Sequence, residues 1–228
     1  MIEIKDNFIN LVYKPKGITS FDVIRIIKKN SDIKKIGHAG TLDPNAEGLM
    51  ILGTGSSTKD LTELVGLDKT YVAEILLGTK TDSGDVDGKI LHEEPIPDLS
   101  EDKIREAILS IIGTQRLPVS IYSAIKKNGK PLHKYARAGK EVVAPIRDMT
   151  ILNAKYISYK HPVIQAEFNV SSGTYIRSIA EEIASRLGTV GTLQNLKRTT
   201  VGPYQLESAI TIPNQIVQEF IENKKRPR

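Results

Sequence analysis

Apolar positions recur at helical spacing in three stretches of the chain and alternate in two others. In SFDVIRIIKKN, Phe21, Ile24 and Ile27 share one stripe, and Ser20 is placed to cap the first turn. LSEDKIREAILSIIG has Ser100 as a cap, acids in the first turn, apolar Ile104, Ala107, Ile108 and Ile111, and a stop at Gly113. TYIRSIAEEIASRLG sets Ile176, Ile179, Ala180, Ile183 and Leu187 on one face and ends at Gly188. The run Tyr71–Leu77 in TYVAEILLG is rich in apolar and β-branched residues and predicts a strand. VIQAEFNV alternates, with Ile164, Ala166, Phe168 and Val170 on one side. These elements do not follow one another as regular βαβ units, which favours an α+β fold over a doubly wound one.

At 228 residues the chain can form one large domain or two small ones. No run is apolar and long enough to span a bilayer, and the charged start IEIKDNFIN lacks the apolar core of a signal peptide. Cysteine is absent, which removes disulfides, thiolate metal sites and cysteine nucleophiles and fits a cytoplasmic protein. The net charge of +5 is modest, but it is unevenly spread. Ile125–Arg147 holds seven Lys or Arg against one Glu, whereas acids dominate Thr81–Ala107. A polyanion would approach the basic segment; the simpler reading is a solvated face.

Two stretches imitate known ligand loops. SGDVDGKILHEE places Asp85, Asp87, Gly88 and Glu94 at positions expected of a calcium loop, with Ser83 first. A strand precedes it and two prolines follow in PIPDL, so the paired helices of such a site are missing and an acidic hairpin turn is the better account. GTGSSTK lacks the Gly-Lys-Ser/Thr ending of a phosphate loop and reads as a turn before a helix containing Leu61, Leu64 and Val65. The four histidines are scattered, with no metal-ligand spacing.

GHAGTLDPNAEG raises a sharper question. Asp before Pro commonly starts a turn, and Asp43–Pro44 could be no more than that. Yet glycines surround it, allowing the backbone to approach a ligand, and Leu42 could desolvate the carboxylate. A desolvated carboxylate can act as a nucleophile and then needs a cation to keep it ionised. Arg177 is a candidate: it lies in the first turn of its helix, where a cation opposes the helix dipole and does little for helix stability.

Five ordered blocks carry a resemblance: VYKPKGITSFDVI, GHAGTLDPNAEGLMILGTGSSTK, KTYVAEILLGTKTDSGDVDG, YSAIKKNGKPLHKYARAG and SSGTYIRSIAEEIASRLG. Together, over roughly Leu11–Tyr204, they resemble the TruB family of tRNA pseudouridine synthases. The resemblance implies an α+β pseudouridine synthase fold, a mixed and largely antiparallel sheet flanked by helices with a central active-site cleft. It implies isomerisation of one T-loop uridine of tRNA, conventionally numbered 55, without cofactor or metal. Asp43 matches the catalytic aspartate, whether it attacks the uracil ring or acts at the ribose; Tyr71 matches the active-site tyrosine and Arg177 the arginine that pairs with the aspartate. His38 matches the histidine of the loop where the base is extruded, and Leu196 an apolar wall of the base pocket. Lys14, Lys126, Lys127, Lys130 and Arg137 are expected to bind the RNA, the last four on an insertion at about 125–147.

The chain departs from the family pattern at QRLPVSIYSA, which has one proline where many relatives have two. The residues after Tyr204 are expected to be too few for an RNA-binding PUA domain. The expected organisation is a catalytic domain over 1–210, then a C-terminal helix and basic tail over 211–228. A monomer with tRNA, through its T-stem-loop, as its partner follows. The competing readings are a catalytically idle RNA-binding or RNA-folding module on the same scaffold, and a guide-dependent synthase within a larger particle.

Overall fold

In the computed structural model, residues 2–127, 129–139 and 142–225 are described, with the backbone alone at 133, 137 and 225. The chain divides into two compact units, one formed by the residues up to Tyr71 together with those from Leu196 onward, the other by Val72–Asn195.

The first unit is organised around a strand that is buried almost throughout. The elements up to it are β1 (Ile9–Lys14), α1 (Ser20–Lys29), β2 (Ile36–His38) and β3 (Ala46–Thr54). The sequence LMILGT leaves β3 no polar face, so it must be covered on both sides. β1 pairs antiparallel along one edge, with Lys14 opposite Gly48. The other edge is shared: β2 pairs with the end of β3, His38 opposite Leu52. Its beginning pairs with a strand from much later in the chain. That later strand is β12 (Gly191–Val201), reached after α2 (Leu61–Val65), β4 (Lys69–Leu77) and the second unit.

The second unit runs through β5 (Thr79–Thr81), β6 (Ile90–Glu93), α3 (Glu101–Leu109), β7 (Gly113–Pro118), β8 (Lys126–Lys127), β9 (Lys130–Pro131), α4 (Leu132–Arg137), β10 (Ile146–Lys160), β11 (Val163–Val170) and α5 (Ile176–Arg186). Its strands follow the order β4-β11-β10-β7, with β10 antiparallel to both neighbours. β4 and β11 bury every second residue, as their alternation predicts. α5 buries Ile176, Ile179, Ala180 and Ile183 and stops at Gly188, whose φ of +79° suits glycine. α3 is capped by the Ser100 hydroxyl, which accepts the Lys103 amide at 3.3 Å. It ends at Leu109, short of the predicted stop, because Gly113 opens β7 instead.

The chain returns to the first unit along β12 (Gly191–Val201) and finishes with β13 (Tyr204–Gln205), β14 (Ile210–Thr211) and α6 (Asn214–Lys225). β12 runs parallel to β3, with Leu196, Lys197 and Arg198 opposite Ala46, Glu47 and Gly48. The strands approach so closely there that a Cβ on Gly48 would lie 2.3 Å from the Arg198 carbonyl oxygen. β14 adds in parallel to β1. Ala39, Leu49, Ile51, Leu61 and Val201 form one buried cluster of this unit. The predicted stripe of α1 needs correction. Val23, Ile24, Ile26 and Ile27 face inward, while Phe21 is 56% exposed with the Arg25 guanidinium 4.8 Å from its ring centre. Among the described residues no helix is long and apolar enough to cross a membrane.

Candidate active site

Asp43 lies on the connection from β2 to β3. β2 leaves its pairing at His38, opposite Leu52, and the chain resumes at Ala46, so the loop must run back along β3. Gly40 bends it at a φ of +86°. A tight turn follows, in which the Ala46 amide donates to the Asp43 carbonyl at 3.0 Å. Leu42 is buried and Asp43 half-buried, so the carboxylate has an apolar neighbour on its own chain. Leu196, 8% exposed, stands opposite Ala46 at the root of this loop.

The floor of the loop is cationic. Arg198 is almost completely buried; its Nε donates to the Leu49 carbonyl at 2.7 Å and its Nη2 to the Gly40 carbonyl at 3.3 Å. The nearest atom to a Cβ placed on Gly40 would be Arg198 Nη1, at 3.6 Å. Lys69 donates from Nζ to the Val65 and Leu67 carbonyls at 2.6 and 2.5 Å, closing the end of α2. Burial, followed by the Arg198 charge, lowers its pKa to about 8. The same two causes push the His38 imidazole below its usual range, so it is neutral at physiological pH.

Lys14, expected to bind RNA, is placed otherwise. It is 0% exposed, and its ammonium donates to the Pro15, Pro44 and Ala46 carbonyls at 2.9, 3.2 and 2.5 Å. Burial lowers its pKa to about 8, while Asp43 and Glu47 pull the other way. The residue supports the backbone next to Asp43 rather than facing solvent. A lysine that ends a strand beside a proline gives no hydropathy sign of this burial.

Tyr71 is buried on the inward face of β4 together with Ala73, Ile75 and Leu77. Next to it, the Thr70 hydroxyl accepts from Thr200 Oγ1 at 2.8 Å, tying the start of β4 to β12. Arg177 belongs to the second unit and is 5% exposed. Its Nη1 donates to the Ser83 carbonyl and to Ser120 Oγ, both at 2.8 Å, and its Nη2 to the Tyr122 carbonyl at 3.2 Å. The Asp85 carboxylate is 4.0 Å away. These partners fix the guanidinium in place, and none of them caps the helix.

The acidic stretch resembling a calcium loop is the turn of the β5–β6 hairpin. Asp82 accepts the Lys89 amide and Asp85 accepts Ser83 Oγ, so the acids serve the turn itself. Among the described residues no group of three or more His, Asp or Glu side chains is arranged to hold a metal. Lys126, Lys127 and Lys130 are exposed on the β8–β9 hairpin, where Lys127 pairs with Lys130. The Arg137 side chain lies outside the described residues. Arg198 and Lys69 were not expected from the sequence. A buried arginine within the polar strand QNLKRTT gives no apolar signal, and only its pairing with β3 brings it beneath the loop.

A family model described as "TruB family pseudouridylate synthase (N terminal domain)" matches residues 28–176. Two relatives, each called tRNA pseudouridine synthase B, come from Psychrobacter cryohalolentis and Clostridium tetani. The first is 40% identical over 215 residues, covering 92% of this chain and 60% of the relative. The second is 41% identical over 213 residues, covering 92% of this chain and 74% of the relative. The chain thus spans less than two thirds of the length of the first. Among solved structures, one of a Cbf5-Nop10-Gar1 complex superposes with a TM-score of 0.71 over 96% of this chain and 56% of the other, at 24% identity, which supports the fold. The chain belongs to the TruB family of pseudouridylate synthases.

Proposed function

We propose that the chain is a tRNA pseudouridine synthase that isomerises the T-loop uridine at position 55, with Asp43 as the residue that carries the chemistry. The reaction breaks the bond from C1′ of the ribose to N1 of the uracil, turns the base, and forms a bond from C1′ to C5. The proton on C5 leaves and N1 gains one, so atoms and charge balance without oxidant, reductant or cofactor. A carboxylate serves either as the nucleophile that holds one fragment or as the group that moves a proton. Arg177 is the cation suited to keep it ionised. Tyr71 offers an aromatic surface for the extruded base, His38 a neutral ring at the loop, and Leu196 an apolar wall. Lys126, Lys127, Lys130 and Arg137 meet RNA phosphates.

The observation that carries this reading is the Asp43 loop itself. Its tight turn, apolar neighbour and buried cationic floor are more than an ordinary Asp-Pro turn requires. A catalytic domain over 1–210 acting as a cytoplasmic monomer on the T-stem-loop completes the proposal. Its test is incubation with unmodified tRNA and mapping of pseudouridine by nucleotide. Conversion at the T-loop uridine is expected, and Asp43→Asn should abolish it while RNA binding persists, since an amide keeps the shape but cannot be a nucleophile. Binding without conversion by the unsubstituted chain would favour an idle RNA-binding module.

A further inference from the structure

Ser20 was placed by sequence as the cap of α1, but the cap is Thr19. The Thr19 hydroxyl accepts the Asp22 amide and the Asp22 carboxylate accepts the Thr19 amide, both at 3.0 Å, a reciprocal capping box. Ser20 is therefore the first residue of the helix, and its hydroxyl is released from the helix end. It turns to another segment. Ser20 Oγ donates to the Leu42 carbonyl at 3.0 Å and accepts the Leu42 amide at 2.9 Å. One side-chain oxygen thereby satisfies both backbone polar groups of the residue before Asp43, as a neighbouring strand would. Both residues are buried, Ser20 at 2% and Leu42 at 3% exposure, so water cannot easily replace the hydroxyl.

On the other side of Asp43 the Pro44 carbonyl accepts from the Gly17 amide at 2.9 Å as well as from Lys14. Residues 42 and 44 are thus both held by the segment Lys14–Ser20. Its far end is rigid, because α1 is packed through Val23, Ile24, Ile26 and Ile27. We infer that Ser20 is a positioning residue for Asp43, setting through the Leu42 backbone where the carboxylate points. The inference rests on the proposed synthase activity. A group held on a rigid element through two hydrogen bonds can be aimed to a fraction of an ångström, and a shift of about 1 Å can cost on the order of a hundredfold in rate.

The experiment compares single-turnover rates at saturating tRNA, tRNA affinities and melting temperatures for the unsubstituted chain, Ser20→Ala, Ser20→Thr and Ile27→Val. Ser20→Ala should lower the rate by roughly ten- to a hundredfold while affinity stays within about threefold, the pattern of a lost transition-state arrangement rather than lost binding. Ser20→Thr, which restores a hydroxyl, should recover most of the rate. Ile27→Val removes one buried methyl from the later part of α1 while leaving the capped first turn and the Ser20 hydroxyl in place, and should lower the melting temperature without slowing turnover. If Ser20→Ala is not folded at the assay temperature, Ser20→Cys is judged by the same rate criterion, because a thiol of similar size is a weak donor and acceptor. A rate for Ser20→Ala within about twofold of the unsubstituted chain would overturn the inference. So would an equal rate loss in Ile27→Val. An inactive unsubstituted chain would instead refute the activity, and the positioning role with it.

Discussion

Lys14 shows how one residue can be placed by chemistry that hydropathy does not register. An ammonium has three N–H donors, and here three carbonyls receive them. Burial nevertheless favours the neutral amine, and its pKa falls from 10.5 to about 8. In the unfolded chain the amine keeps its proton up to its ordinary value. Between about pH 8 and 10.5 the unfolded state therefore binds more protons than the folded one, and stability contributed by this residue rises with pH. Below about pH 8 both states are protonated and the penalty is fully present. Urea midpoints for the unsubstituted chain and Lys14→Met, measured from pH 7 to 10, should therefore converge or cross in favour of the lysine as pH rises, by on the order of 1–3 kcal/mol. Lys69 shifts in the same sense but is present in both proteins, so it cancels in the difference. A gap that widens against the lysine with rising pH would show that the three carbonyls keep the ammonium charged.

Helix α1 links several of these residues. Asp22 has a side chain that is 0% exposed, in contact with Arg25 at 3.1 Å and with Lys224 of α6 at 2.7 Å. Burial alone would raise its pKa, but the bonds from Lys224 and Thr19 outweigh this and lower it. Its stabilising contribution is thus present above the unfolded carboxyl pKa and is lost as pH falls through the lower folded value. Lys224→Met should cost about 1 kcal/mol by chemical denaturation at pH 7, since the lysine is half-exposed and its charge is screened. That cost should shrink toward zero as the carboxyl is protonated in acid; a cost independent of pH would mean that α6 is held by packing alone. Elements of this kind differ in how far sequence reveals them. α3, α5 and β11 were legible because each buries one regular face, from Ile104 to Ile108, Ile176 to Ile183 and Ile164 to Val170. α1 was only partly legible: two adjacent hydroxyl residues, Thr19 and Ser20, could each cap it, and Phe21 looks like core but packs against Arg25 at the surface. β12 was not read as a strand because its buried positions include Thr192 and Arg198, whose need for burial arises from a parallel partner distant in sequence. The site followed the same division. Asp43 and Arg177 are candidates from their own surroundings in the sequence and Tyr71 from the family resemblance alone, whereas the residues beneath the loop emerged only once the backbone was folded.

On the scale of the whole molecule, charge and chain order have separate consequences. The β8–β9 hairpin exposes Lys126, Lys127 and Lys130 in a segment with one acid. If these lysines meet phosphates, replacing all three by Gln should weaken RNA binding and reduce the slope of log affinity against log salt by about 0.7–0.9 per lost contact, with a smaller change in the rate at saturation. Filter-binding titrations at several salt concentrations measure this, and an unchanged slope would mark the hairpin as a solvated face. Chain order bears on when the site can exist. The Leu49 carbonyl and the guanidinium that holds it are separated by 149 positions, with the second unit between them. At about 5–20 residues per second, a ribosome would deliver Arg198 roughly 7–30 seconds after the Asp43 loop. During that interval β3 has β1 and β2 to pair with but lacks β12, and the Gly40 carbonyl lacks its cation. A nascent chain would therefore display its aspartate long before that residue had a floor to rest on, and the support beneath the loop would arrive only with β12.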